Sequence, residues 1–166
     1  MKIAIRVDAS IDMGSGHVMR CLTLACYLQQ QGHQIIFICR EHVGHLIDFI
    51  CQKGFEVQRL KCFQTNYPLS KMNTHGNWLG MSEVQDFIEC RPSLTVFKPD
   101  WLIVDHYAIG RVWQQQVRQY IPNVKIMVID DLADREHDCD ILLDQNIEIE
   151  GKNDYKHLVP THCRLL

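Results

Sequence analysis

The sequence has no cysteine pair spaced C-x-x-C, although eight cysteines occur among its 166 residues. That absence excludes zinc-ribbon and thioredoxin-type readings. No apolar run approaches the roughly 20 residues that would span a bilayer. Neither sign of charge dominates. Lys+Arg number 17 against 20 Asp+Glu, a formal net charge of -3, so there is no electrostatic footprint for nucleic acid or for an anionic membrane surface. Two phosphate-binding signatures are also missing. The run GSGHVM at Gly14 lacks the third glycine of a dinucleotide fingerprint, and no Gly-Lys-Ser/Thr follows it as a P-loop requires. The N-terminus enters a strand pattern at once, which reads as no signal peptide. Cys21, Cys26, Cys39, Cys51, Cys62, Cys90, Cys139 and Cys163 then read mostly as small buried thiols in a reducing cytoplasm. There is no internal repeat and no low-complexity tract.

What is present is an alternation of strand and helix patterns. Apolar residues make up 46% and charged residues 22%, ordinary globular values for one domain with a full core. Ile3 to Val7 reads as a strand, followed by a helix from Gly16 to about Gln30 that Gly32 closes. The continuous apolar run Gln34 to Cys39 suits a parallel strand covered on both faces. A helix over roughly His42 to Gln52 and a short strand over Phe55 to Leu60 come next. Lys61 to Gly80, with Tyr67, His75 and Trp78, has no period and reads as a long loop, a common place for function. A helix from Met81 to about Glu89 is limited by Pro92. Beyond it lie a strand at Asp100 to Asp105, a helix at Ile109 to Tyr120, a strand at Lys125 to Asp130 and a short last strand at Ile141 to Asp144. The tail from Glu148 is polar. This order implies an α/β fold, a doubly wound and mostly parallel sheet.

In such a sheet the carboxyl ends of the strands share one edge, where ligands bind. Asp8, Asp105, Asp130 and Asp131 all follow or end strands. Gly14, Ser15 and Gly16 form a turn that leads into the first helix, whose free amides suit an anion. His17 follows. An imidazole at a helix start lies near the positive end of the dipole, which disfavours its protonated form. It can then take a proton from water. The alternative is a histidine that merely caps its turn. For Asp105, with His106 and Tyr107 after it, the alternative is a helix cap or loop tie. Arg135 can pair with Asp131 or meet a ligand anion. His42 and His45 stand at i, i+3 without a third ligand, so no metal site is read. His75 and Trp78 suit the enclosure of a sugar ring, against ordinary loop packing.

The segments RVDASIDMGSGHVMRCLTLA, HGNWLGMSEVQD, DWLIVDHYAI and VIDDLADREHDCDILLDQN, in this order, resemble the N-terminal half of the UDP-2,4-diacetamido-2,4,6-trideoxy-β-L-altropyranose hydrolases of pseudaminic acid biosynthesis. The resemblance covers nearly the whole chain. It implies a Rossmann-like domain like the N-terminal domain of a GT-B fold, with the substrate held between two domains. It also implies an inverting, metal-independent hydrolysis in the cytoplasm without a cofactor, in which water attacks the anomeric carbon and UDP leaves. The general base of the G-[ST]-G-H-V-M-R motif falls on His17. Asp8, Gly14, Ser15, Gly16, Trp78, Asp105 and Tyr107 are the expected substrate-side residues. The nucleotide-binding second domain is expected to lie outside residues 1–166, so these residues alone are expected to bind UDP poorly. Two other readings fit the same turn and histidine. One is the acceptor-binding domain of a GT-B glycosyltransferase, for which the usual apolar or basic membrane-facing patch is not seen. The other is a non-catalytic sugar-binding module.

Overall fold

A computed structural model describes residues 1–62, 75–146 and 155–166. The expected loop residues 63–74, including Tyr67, and the tail residues 147–154 lie outside the described residues. The elements run β1 (Lys2–Val7), α1 (Gly16–Gln30), β2 (Gln34–Arg40), α2 (Ile47–Gln52), β3 (Glu56–Leu60), a 3-10 turn (Gly76–Leu79), α3 (Glu83–Phe97), β4 (Trp101–Asp105), α4 (Arg111–Tyr120), β5 (Lys125–Ile129), β6 (Ile141–Leu143), a second 3-10 turn (Tyr155–His157) and β7 (Arg164–Leu165). The strands form one sheet in the order β3-β2-β1-β4-β5-β6-β7. Every neighbouring pair is parallel. The central order is that of a Rossmann-like doubly wound fold.

Alternation along the strands divides the core. Ile3, Ile5 and Val7 of β1 pack with Val18, Leu22 and Ala25 of α1 on one face. Ala4, Val104 and Val128 pack with Leu94 of α3 and Trp113 and Val117 of α4 on the other. Arg6 occupies that second face with no exposed surface. It donates to Asp86 of α3 (Nη2–Oδ1 2.8 Å) and to Asp8 (Nη1–Oδ1 2.6 Å). Arg40 and the Trp113 indole also donate to Asp86. Two buried arginines and two buried aspartates thus neutralise one another inside the apolar layer.

Three elements differ from the sequence expectation. The second helix begins only at Ile47, because Gly44 takes the left-handed φ of +85°. There a β-carbon would lie 2.9 Å from Ile11 Cγ1 and 3.0 Å from Ile11 N, so only glycine lets the two loops meet. The third helix continues through Pro92 to Phe97. Pro92 and Ile88 lie on its exposed side, where water can serve the carbonyl that proline leaves unbonded, while Cys90 and Leu94 hold the other side in the core. The tail carries β7, which extends the sheet. The cysteines divide more evenly than expected. Cys21, Cys39, Cys90 and Cys139 are buried, whereas Cys26, Cys51 and Cys62 are exposed. No helix among the described residues is long and apolar enough to cross a membrane.

Candidate active site

The β1–α1 connection folds back on itself. Gly14 takes φ +73° and its amide donates to Ser10 O at 2.9 Å. Ser15 stands at the N-cap of α1 without a side-chain cap bond, and the first turn of α1 has no acidic residue. Gly16 opens the helix, with open space where a β-carbon would stand. His17 follows on the buried side, its side chain 10% exposed.

Asp105, the last residue of β4, lies beneath it. His17 Nδ1 is 2.6 Å from Asp105 Oδ1. Two lone pairs at that separation would repel, so Nδ1 carries the proton and donates it. Nε2, on the far side of the ring, points away from the carboxylate and is the nitrogen left free to exchange a proton. Arg20, one turn along α1, forks onto the same group, with Nε to Oδ2 and Nη2 to Oδ1 both at 2.6 Å. Burial alone would raise the Asp105 carboxyl; the hydrogen bonds from Arg20 and His17 outweigh it and hold the group below the usual carboxylate range. Arg20 also reaches Gln145 Oε1 at 3.3 Å and lies 3.9 Å from Asp131 Oδ2.

Aromatic rings close over the imidazole. Tyr107 meets His17 edge-on at 4.4 Å between centroids. Trp78 stacks on Tyr107 at 5.8 Å and lies 6.3 Å from His17. His75 contacts both Trp78 and Tyr107. The Tyr107 hydroxyl donates to Asp131. Burial, then that carboxylate, push the phenol well above its ordinary value.

His17, Asp105 and Tyr107 therefore come together beside the Gly14–Gly16 turn, and Trp78 reaches them from the connection before α3. Asp8 does not join them. Its carboxylate has no exposed surface and faces the α3/α4 layer, accepting from Arg6 and from Arg40 N at 2.6 Å. Burial would raise this carboxyl, but Arg6 above all holds it well below the usual range. His42 and His106 flank its second oxygen at 3.5 and 3.2 Å. The i, i+3 pair of His42 and His45 lies in a turn before α2, not on a helix face. Arg135 pairs with Asp130 and Asp134, leaving Asp131 to Tyr107. Arg20 escaped the sequence reading. Its signal was the i+3 spacing from His17, which puts both side chains on one face of α1.

No protein-family model matches the chain. The UDP-2,4-diacetamido-2,4,6-trideoxy-β-L-altropyranose hydrolase of Campylobacter jejuni is 29% identical over 165 residues, which is 99% of this chain and 48% of that protein, its N-terminal half. An uncharacterized protein of Methanocaldococcus jannaschii, MJ1062, is 30% identical over 120 residues, 72% of this chain and 20% of its own length. The chain thus spans about half the length of the first of these relatives. Among solved structures, Acinetobacter baumannii MurG superposes with a TM-score of 0.56 at 12% identity, over 92% of this chain and 44% of MurG. The fold is therefore Rossmann-like α/β and is shared with MurG, a GT-B glycosyltransferase, and the resemblance carried by the sequence motifs extends along nearly the whole chain.

Proposed function

We propose that the chain is the sugar-side half of a cytoplasmic hydrolase that splits a UDP-linked 2,4-diacetamido-2,4,6-trideoxy sugar into UDP and the free sugar, a step in pseudaminic acid biosynthesis. The observation that carries this reading is the His17 Nδ1–Asp105 Oδ1 contact of 2.6 Å. It leaves Nε2 as a proton acceptor at the mouth of the sheet. There Nε2 takes a proton from water as the oxygen attacks the anomeric carbon. The bond from that carbon to the phosphate oxygen breaks, and UDP departs with the electron pair. Asp105 balances the imidazolium charge that develops. Attack from the face opposite UDP inverts the anomeric centre, and one base is sufficient because a nucleoside diphosphate leaves readily without a metal. The rings of Trp78 and Tyr107 suit the C–H face and acetamido methyls of such a sugar. Asp8 is left a structural part, and Gly14, Ser15 and Gly16 line the turn beside the base. The uridine diphosphate is assigned to a second domain.

The test is to supply the UDP-sugar with no acceptor and follow UDP and the sugar anomer by NMR. Release of both, with inversion, supports the hydrolase. Release of UDP only after an acceptor is added identifies a glycosyltransferase, and sugar binding without turnover identifies a binding module.

A further inference from the structure

We infer that Arg20 is a positioning residue that fixes which nitrogen of His17 carries the proton, acting through Asp105. This rests on His17 being the base. The imidazole can place its proton on either nitrogen, and only the form with the proton on Nδ1 leaves Nε2 able to accept one from water. Asp105 enforces that form solely while its Oδ1 faces Nδ1. Arg20 holds it there, engaging both carboxylate oxygens at 2.6 Å from a residue one helical turn beyond His17. The fork is itself fixed, because Arg20 Nη1 reaches Gln145 Oε1 at 3.3 Å and lies 3.9 Å from Asp131 Oδ2, so residues following β5 and β6 brace it. Arg20 Nη2 also lies 3.2 Å from His17 Nδ1. A guanidinium only donates, so it has no acceptor in a protonated Nδ1, and both groups converge instead on the one Oδ1. Cys21 Sγ also donates to Oδ2, at 3.4 Å, but a thiol is a weak donor and does not engage Oδ1.

Two variants of the 166-residue chain test this. Arg20→Gln removes the charge and the fork; Arg20→Lys keeps the charge but offers a single point donor. The readout is the pair of 15N shifts of the His17 ring at alkaline pH, with thermal unfolding measured alongside. In the parent, Nδ1 is pyrrole-like and Nε2 pyridine-like. In Arg20→Gln both shifts move toward those of an exchanging mixture, and Arg20→Lys falls between. Where turnover is measured, kcat falls about tenfold or more with KM nearly constant. If Arg20→Gln does not fold, Arg20→Lys alone decides by the same shifts. Parental shifts in the folded variants, whatever the change in melting temperature, overturn the inference and leave Arg20 a structural ion pair. The ring shifts do not depend on turnover. A His17 variant that retains full activity would therefore remove the base while leaving the tautomer result standing.

Discussion

At the scale of single residues, the imidazole and its carboxylate are separable by substitution. His17→Asn keeps a polar side chain at the helix start but removes the proton acceptor. In the active protein we expect kcat to fall about 100-fold or more with binding nearly intact. Asp105→Asn should give a loss of similar order by releasing the ring. Steady-state rates between acid and neutral pH check both, and near-parental kcat in the His17 variant dismisses it as base. Both partners were legible from their places, one after a glycine turn and one ending an apolar strand. Their contact was not, because 88 residues separate them. Asp8 has the same strand-end address but sits one residue past β1, on the opposite face from Val7. Period-two alternation turned it into the α3/α4 layer.

At the scale of elements, β1, β2, α3 and α4 meet at Asp86. Arg6, Arg40 and the Trp113 indole donate to it, and Glu83 from the same helix accepts Gly110 N and Trp113 N at the start of α4, each at 2.9 Å. Asp86→Ala removes the carboxylate that two buried guanidiniums share, leaving Arg6 only Asp8 and Arg40 only Glu89 as counter-charge. We expect a loss of about 3–5 kcal/mol in urea unfolding, far above the roughly 1 kcal/mol or less of an exposed pair such as Arg111–Glu136. A loss near that lower figure would show that the arginines find other partners. The apolar strands were readable because a strand covered on both faces is apolar throughout. The polar hub was not, since Arg6 reads as a flaw in a strand until α3 brings its counter-charge from 80 residues away. Pro92 and β7 were misjudged for a related reason. Burial of one side of α3 outweighed a single lost hydrogen bond, and a two-residue strand has no period to detect.

At the scale of the whole molecule, acid should unfold the chain in two stages. His137 is buried and its Nε2 has no hydrogen-bond partner among the described residues. Burial first, then Arg135, pull it down to about 4. The unfolded chain therefore binds this proton nearer pH 6.5, so the stability is complete above that pH and is lost as pH falls toward 4, by up to about 3 kcal/mol. Below about 4 the depressed carboxylates Asp8, Asp86 and Asp105 add a second loss, because the unfolded chain takes up protons that the folded state still refuses. Burial also lowers His106, so urea midpoints across this range check the sequence of events, and His137→Gln should reduce the first stage without abolishing it, leaving the second unchanged. Calorimetry with UDP should find weak or no binding by the 166 residues; micromolar affinity would reassign the nucleotide to this domain. The sheet order also sets a timetable for synthesis. Ile3 pairs with Trp101, so one edge of the central strand stays open until β4 has been made. At roughly 5–20 residues per second that interval is about 5–20 s. For all of it, the apolar strand β1 lacks one neighbour, an open edge that a chaperone shielding strand edges at the ribosome would recognise.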